Sequence, residues 1–366
     1  MIEPFEPSVS PETFDTLRER LRATRWPIGV VEDGGVPLAT MHAIVENWLR
    51  QFDWEALDRT IRALPHVRTT VNDLRLHAVH RRAENAEAPA ILLLHGWPGS
   101  FLEFLPMLSY FERLHVVIPS LPGFGFSDAP RSPGMSNAHM AECCAALMSG
   151  LGYARFVVHG GDIGAGVATW LARKYPARVT GLHLNFIPGS YTPAEEPPPT
   201  AEERDFLRRR AAWIDANGGY GHVQRTRPLT LAYGLADSPA ALAAWIVEKF
   251  REWADPTRAV PLDTVLANVT LYWATNTIAS SMRVYLESAR TPLVFAPGER
   301  LAVPCAIARF PHEMPSPPRS WVERGYQVVR WTEMPRGGHF AALEVPDLLA
   351  ADILEFLETL APDRTI

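Results

Sequence analysis

An aspartate occupies the centre of a very tight glycine turn. The stretch FVVHGGDIGAGVATW, residues 156–170, predicts a buried strand, a sharp turn and then a helix over 165–174, with Asp162 in the turn. Residues 160–164 follow the pattern small-x-nucleophile-x-small, in which small flanking residues make room for a strained central one. The N-terminal N–H groups of the following helix stabilise negative charge at this point. We therefore expect Asp162 to be a catalytic nucleophile.

Other interpretations of the same turn fit less well. A dinucleotide-binding turn also joins a strand, glycines and a helix, but Thr169 stands where the third glycine of that pattern belongs. A simple N-cap role for the aspartate would not explain the doubled glycines. A serine nucleophile is also disfavoured, because the two G-x-S-x-A segments, 125–129 and 134–138, follow no buried strand.

The choice of aspartate restricts the chemistry. A carboxylate that attacks a saturated carbon carrying a leaving group forms an ester, which a base-activated water can hydrolyse. A serine would form an ether at the same carbon, and water does not readily cleave an ether. On an acyl group, an aspartate would give a labile anhydride, so an ordinary esterase is disfavoured. Epoxides and alkyl halides are the substrates that this nucleophile suits.

Such a cycle requires a histidine base and an acid that orients it. The segment MPRGGHFAALE places His339 in a glycine turn between the last predicted strand and the last predicted helix. Glu313 directly follows the strand-like segment VPCAIARF, and triad acids commonly come from loops at strand ends. Glu323 and Glu333 are the alternatives for this acid. The sequence favours Glu313.

An oxyanion hole is predicted in the segment LLLHGWPGS, a loop that follows an early strand. The backbone N–H groups of Trp97 and Ile163 would hold the oxyanion of a tetrahedral intermediate. We interpret His95, in this loop, and His159, beside the aspartate turn, as packed structural residues.

Composition excludes several other classes of function. The net charge of −6 comes without a block of lysine and arginine, so nucleic acid is not an expected partner. Cys143, Cys144 and Cys305 form neither a disulfide framework nor a metal-type spacing, and we expect buried thiols. His77 and His80 would face opposite sides of a strand, which is a poor metal pair. No metal and no organic cofactor is expected.

The remaining elements predict an α/β fold with a mostly parallel, doubly wound sheet. Buried strand-like runs alternate with helical segments in the middle of the chain and return near its end. Residues 190–295 interrupt this pattern with helices, which we expect to cover the carboxyl ends of the strands. The first residues do not resemble a signal peptide, and the uncharged stretch 264–282 contains Thr, Asn and Ser. We expect a soluble cytoplasmic protein without a membrane anchor; the sequence leaves a homodimer open.

Several motifs together resemble the epoxide hydrolases of the α/β-hydrolase superfamily, in particular the microsomal and juvenile-hormone branch. The segments are HGWPGS, PSLPGFGFSDAP, GGDIG, FPHE and RWTEMPRGGHFAALE, in that order. The N-terminal segment PFEPSVSPETFDTLRERLRATRWP resembles the N-terminal extension of that branch. The resemblance implies an extension over 1–85, an α/β-hydrolase core over 86–189 and 296–366, and a helical lid over 190–295.

The resemblance also implies two lid tyrosines that bind the epoxide oxygen and protonate it as the ring opens. The matching segments are GGYGHVQ, which contains Tyr220, and SSMRVYLE, which contains Tyr285. Tyr233 and Tyr272 lie in the same insert and would otherwise compete for this role.

The predicted function is the hydrolysis of a small-molecule epoxide to a vicinal diol through a covalent ester on Asp162. The principal alternative is a haloalkane or haloacetate dehalogenase with the same nucleophile. Dehalogenases often carry Trp directly after the nucleophile, whereas this chain has Ile163. A second alternative is a non-catalytic binding protein on the same fold, which an intact triad disfavours.

Overall fold

A single mixed β-sheet organises the protein. The computed structural model describes residues 2–29, 34–194 and 197–360, and within them nine strands form one sheet in the order β1-β2-β3-β5-β4-β6-β7-β8-β9. The strands are β1 (Ile2–Pro4), β2 (His66–Val71), β3 (Leu74–Arg81), β4 (Ala90–Leu94), β5 (His115–Pro119), β6 (Phe156–Gly160), β7 (Val179–Leu184), β8 (Pro304–Arg309) and β9 (Gln327–Glu333).

Strands β5, β4, β6, β7, β8 and β9 are parallel to one another, whereas the remaining strands at the other end of the sheet pair antiparallel. Strands β4, β5 and β6 are buried along their whole length, as expected of parallel strands covered by helices on both faces. The doubly wound parallel sheet predicted from the sequence is therefore confirmed. Strands β1, β2 and β3 add an antiparallel edge, because β3 pairs antiparallel with β5. The first part of the chain thus extends the same sheet.

Helices cover both faces of the sheet and bury two hydrophobic clusters against it. The helices are α1 (Pro11–Arg22), α2 (Leu38–Arg50), α3 (Trp54–Arg62), α4 (Asn137–Gly150), α5 (Asp162–Lys174), α6 (Ala201–Asn217), α7 (Gly219–Thr226), α8 (Pro228–Asp237), α9 (Pro239–Trp253), α10 (Leu262–Thr275), α11 (Ile278–Ala289), α12 (Arg319–Glu323), α13 (Ala341–Glu344) and α14 (Pro346–Leu360). A 3₁₀ helix spans Phe101–Phe111. All three cysteines are buried free thiols, as expected.

Six helices, α6 to α11, lie between β7 and β8 in the chain, where the sequence predicts a helical insert. Helix α7 packs against α8 and α11, and the N-terminal helices α1 and α2 support α9. The indole N–H of Trp48, on α2, donates a hydrogen bond to the Thr270 hydroxyl on α10 at 3.0 Å. The N-terminal helices α1 and α2 therefore pack against helices α9 and α10 of the insert.

No single helix in the described part of the chain is both long and apolar enough to cross a membrane. The bent pair α8 and α9 reaches the required length and composition only when its two helices are taken together.

Candidate active site

The turn between β6 and α5 holds Asp162 in a left-handed backbone conformation, with φ of 46°. A Cβ on Gly160 would lie 2.4 Å from the Gly164 carbonyl oxygen, and one on Gly164 would lie 2.0 Å from the Leu94 carbonyl oxygen. Both glycines are therefore required by close backbone approach. Helix α5 begins at Asp162 itself, three residues earlier than the sequence predicts, so the carboxylate lies in the first helical turn.

The loop after β4 approaches this carboxylate directly. The Trp97 backbone N–H donates a hydrogen bond to Asp162 Oδ1 at 2.7 Å. A Cβ on Gly96 would lie 2.3 Å from the same oxygen, so this position also needs glycine. Ile163 follows the aspartate in the first turn of α5, and its side chain lines a neighbouring cavity. The loop and turn expected to form an oxyanion hole thus meet at Asp162.

His339 and Glu313 complete a line of three side chains. The imidazole Nδ1 lies 2.8 Å from Glu313 Oε1, and Nε2 lies 3.6 Å from Asp162 Oδ2. Because an ionised carboxylate only accepts, Nδ1 carries the hydrogen in this bond and Nε2 faces the aspartate. The side chains of His339 and Glu313 are 3% and 1% exposed, against 15% for Asp162.

Two opposing effects set the protonation of His339. Burial lowers its pKa, but the charges of Glu313 and Asp162 and the hydrogen bond with Glu313 outweigh burial and hold that pKa well above its ordinary value. The imidazole is therefore sensitive to any loss of charge on Asp162.

A buried glutamate that sequence analysis did not single out fixes the backbone around His339. The Glu344 carboxylate accepts hydrogen bonds from the N–H of Gly338 at 2.8 Å and of Phe340 at 2.7 Å, on either side of the histidine. The His339 N–H donates to the Trp253 carbonyl at 3.0 Å. In the sequence, Glu344 belongs to the closing helical segment, and only its burial reveals this role.

The other acids and histidines that were considered have different surroundings. Glu323 pairs with Arg319 at 2.7 Å and Glu333 pairs with Arg309 at 3.0 Å, and both carboxylates lie at the surface. His95 is fully buried and accepts the Leu121 N–H at 3.2 Å, and burial lowers its pKa to about 4. These contacts support the structural interpretation of His95.

A cavity of about 350 Å³ opens on one side of Asp162. Tyr220 and Tyr285 line it together with the aspartate. The Tyr220 ring stacks on Trp97 at 5.7 Å between centroids, and Tyr285 meets Trp97 edge-on at 5.9 Å. Burial is the main reason that the pKa of both phenols is raised, and the charge of Asp162 adds to this effect. Both phenols are therefore protonated at neutral pH.

The competing tyrosines are placed elsewhere. Tyr233 is 71% exposed. Tyr272 is buried, but its hydroxyl donates to the Gly99 carbonyl at 2.8 Å. Neither lines the 350 Å³ cavity. Tyr272 instead holds the loop after β4 in place, together with Asn268, whose amide donates to the Pro98 carbonyl at 2.6 Å.

A second cavity, of about 20 Å³, borders Asp162 as well. It has room for one water molecule and is lined by His339, Glu103, Asn185 and His159. Burial raises the pKa of Glu103 to about 8; nearby His339 opposes this shift and Asp162 adds to it. The buried amide oxygen of Asn185 has no hydrogen-bond partner among the described residues. Sequence analysis missed Glu103 and Asn185.

Comparison with known proteins extends these observations. Residues 2–104 match the family described as "Epoxide hydrolase N terminus", and residues 89–226 match the family described as "alpha/beta hydrolase fold". A putative epoxide hydrolase of Stigmatella aurantiaca is 41% identical over 97% of this chain and 84% of its own length. The chain belongs to the epoxide hydrolases with the α/β-hydrolase fold.

Other epoxide hydrolases are also similar to this chain in sequence and in structure. Epoxide hydrolase 1 of Oryctolagus cuniculus is 33% identical over 97% of this chain and 88% of its own length. The solved structure of the Aspergillus niger epoxide hydrolase has a TM-score of 0.89 at 30% identity, covering 98% of this chain and 97% of that one. The juvenile hormone epoxide hydrolase of Bombyx mori has a TM-score of 0.88 at 28% identity, covering 99% and 95%. The predicted fold and epoxide hydrolase function are therefore confirmed.

Proposed function

We propose that this epoxide hydrolase opens a small-molecule epoxide in the 350 Å³ cavity and hydrolyses the resulting ester with a water held in the 20 Å³ cavity. The observation that carries the proposal is that Asp162 is the one described residue lining both cavities. Tyr220 and Tyr285 line the first cavity, whereas His339 lines the second. The groups needed for the two half-reactions therefore lie on different sides of one carboxylate.

In the first half-reaction, Asp162 Oδ2 attacks one epoxide carbon and the bond between that carbon and the epoxide oxygen breaks. Tyr220 or Tyr285 transfers its phenolic proton to the departing alkoxide, while the other phenol donates a hydrogen bond to it. Oδ1 stays bonded to the Trp97 N–H and becomes the carbonyl oxygen of the ester.

In the second half-reaction, water attacks the carboxyl carbon of the Asp162 ester while His339 Nε2 takes its proton. Glu313 stabilises the imidazolium that forms. The Trp97 and Ile163 N–H groups hold the oxyanion. As it collapses, the bond between the carboxyl carbon and the substrate oxygen breaks, and that oxygen takes the remaining proton of the attacking water, which releases the diol and restores the carboxylate. The imidazolium proton is returned, through solvent, to the tyrosinate left by the first half-reaction.

Glu103 and Asn185 position the attacking water in this proposal. With its pKa raised to about 8, Glu103 is mostly neutral at pH 7 and can donate a hydrogen bond as well as accept one. Asn185 supplies an acceptor that is otherwise unsatisfied. A buried water commonly makes about three hydrogen bonds to such groups.

The direct test is a single turnover in heavy-oxygen water with enzyme in excess over epoxide. The proposal expects the label in the Asp162 carboxylate and an unlabelled diol, followed by labelled diol in later cycles. Mass spectrometry of the peptide that contains Asp162 locates the label. Labelled diol in the first cycle would mean direct attack by water and would refute the ester intermediate.

The dehalogenase alternative uses the same aspartate but needs side-chain N–H donors for a halide. The lining of this cavity includes two phenols, Tyr220 and Tyr285, which can supply a proton to an alkoxide. Parallel assays for diol formation and chloride release separate the two activities. Covalent labelling of Asp162 by an epoxide would exclude the non-catalytic binding protein.

The tyrosine assignment gives a testable prediction. Tyr220→Phe and Tyr285→Phe are each expected to slow ester formation by about 100-fold, because each removes one donor to the leaving oxygen. Rapid-quench measurement of the covalent adduct reports this step alone. Tyr233→Phe, at an exposed position in α8, is the matched control and should leave the rate unchanged. Equal rates in all three variants would contradict the assignment.

The water-positioning role of Glu103 gives a second prediction. Glu103→Ala is expected to slow ester hydrolysis roughly 10- to 100-fold because the water loses its position, whereas ester formation stays near the wild-type rate. Glu103→Gln, which resembles the neutral carboxyl, should retain most of the hydrolysis rate. If glutamine were as harmful as alanine, the neutral form would not be the active one.

The pH dependence of the two half-reactions should differ. Ester formation cancels the charge of Asp162, one of the two carboxylates that raise the pKa of His339, so that pKa falls in the ester. Hydrolysis needs the neutral imidazole and is lost as pH falls, whereas ester formation does not need His339 as a base. The fraction of enzyme trapped as ester should therefore rise as pH falls through the pKa of His339 in the ester.

Mass spectrometry of enzyme quenched in the steady state measures this trapped fraction. The same series with Glu103→Gln removes a second titratable group from the cavity that His339 lines. A trapped fraction that rises with increasing pH would contradict the role of His339 as base.

The cytoplasmic location and the homodimer stay predictions. Cell fractionation tests the first, and sedimentation of the purified protein tests the second.

A further inference from the structure

Two arginines stand out in the wall of the 350 Å³ cavity. Its lining is largely apolar and includes Phe206, Trp213 and Met314, yet Arg210 on α6 and Arg225 on α7 also line it. Asp162, the nucleophile, is the single acidic residue among the described residues of the lining. The cavity thus combines an apolar body with uncompensated positive charge.

Arg210 has no carboxylate partner within the described ranges. It is half-buried, and its Nη2 donates to the Gly189 carbonyl. Burial alone lowers its pKa, so no neighbouring charge offsets the cost of enclosing the guanidinium. By contrast, Arg324, which is also partly enclosed, pairs with the Glu203 carboxylate at 2.7 Å. An enclosed cation without an anion is costly unless a ligand supplies one.

Arg225 adds a second cation to the lining of the same cavity. It is exposed, and its Nη2 contacts His222 Nδ1 at 3.3 Å without a carboxylate partner in the described part of the chain. Because Arg225 is exposed and Arg210 is half-buried, the positive charge extends from the solvent side of the cavity inward. A guanidinium presents up to five N–H donors in a planar fork that fits a carboxylate.

We propose that Arg210 and Arg225 form a carboxylate subsite, and that the preferred substrates of this enzyme are epoxides on an apolar chain that ends in a free carboxylate. The chain lies along the apolar wall while the epoxide reaches Asp162 and the two lid tyrosines. Arg210 makes the close contact and Arg225 contributes attraction from the rim. This proposal rests on the epoxide chemistry proposed for Asp162.

The test compares 10,11-epoxyundecanoate with its methyl ester, which has the same epoxide and chain but no charge. In the wild-type enzyme the acid should have the higher kcat/KM, and R210Q should lower the acid-to-ester ratio about tenfold. R210K keeps the charge but loses the fork, so it should keep part of the preference. R225Q should lower the ratio less, and its effect should fade with added salt, because that side chain is exposed.

Arg209 provides the matched control on the same helix. It pairs with Asp205 at 2.9 Å and does not line the cavity, so R209Q should leave the ratio unchanged. A ratio that is the same in wild type, R210Q and R209Q would overturn the subsite. A series of shorter epoxy acids should show a preferred chain length for the acids that the esters lack; equal chain-length profiles would also overturn it.

Binding of saturated undecanoate and its methyl ester, measured by calorimetry, separates the subsite from the chemistry. Tighter binding of the acid to wild type, reduced in R210Q, would support the subsite even if no epoxide were opened, and the epoxide mechanism alone would then fail. Equal binding of acid and ester in both proteins would overturn the subsite while leaving the mechanism intact.

Discussion

His339→Gln should open its epoxide once and then stop at the Asp162 ester. Glutamine cannot take the proton of the attacking water, whereas Asp162 needs no base to attack the epoxide. We expect one equivalent of covalent adduct per protein and a loss of steady-state turnover of about 10⁴-fold or more. Intact-protein mass spectrometry after mixing with epoxide measures the adduct, and a diol assay measures the turnover.

Two glutamates provide the comparison for this variant. Glu313→Gln removes the charge that contacts His339 Nδ1 at 2.8 Å and should also accumulate ester, to a lesser degree. Glu323→Gln alters a surface pair with Arg319 and should behave as wild type. A His339→Gln enzyme that turned over at the normal rate, or one that never formed the adduct, would contradict the role of this histidine as base.

Asp162→Ala should abolish both the adduct and the diol. Every later step in the proposal acts on the ester of this carboxylate, so the expected loss of turnover is again about 10⁴-fold or more. Far-UV circular dichroism should show an unchanged fold, since the substitution removes no buried apolar group. Diol production at the wild-type rate would show that water, and not Asp162, attacks the epoxide.

The two variants are informative together because they block different half-reactions. Asp162→Ala should yield no adduct, while His339→Gln should yield a stable one. This contrast follows from the geometry, in which Asp162 borders both cavities and His339 borders only the smaller one.

Asp162, His339 and Glu313 could be selected from the sequence as candidate nucleophile, base and acid because each lies next to a strand end with a local signal. The glycines around Asp162 are needed because backbone segments pass close to one another there. A Cβ on Gly164, for example, would lie 2.0 Å from the Leu94 carbonyl oxygen. His339 lies in a similar glycine turn, and Glu313 directly follows a strand. Parallel strands bring their carboxyl ends to one edge, so these separate local signals meet in one place.

The sequence pattern around Tyr220 and Tyr285 was weaker evidence for a role in the site. Helical spacing alone does not distinguish a tyrosine that lines a cavity from one that packs in a core, and the choice came from family resemblance. The structure separates these tyrosines from Tyr233, which is exposed, and from Tyr272, whose hydroxyl is bonded to a backbone carbonyl.

No local sequence pattern indicated that Glu103 or Asn185 belongs to the site. Glu103 lies in a 3₁₀ helix and Asn185 just after β7, and they come together only because the sheet brings both segments to Asp162. The raised pKa of Glu103 is a consequence of burial, which no spacing of residues encodes.

The sequence by itself determined the order of the elements and the chemistry open to Asp162, because a glycine-flanked aspartate between strand and helix already limits what can react there. The tertiary structure alone decided which polar groups share a cavity, which are neutral, and which cations lack a partner. Those properties depend on burial and on contacts between residues far apart in the chain, and they exist only once the chain has folded.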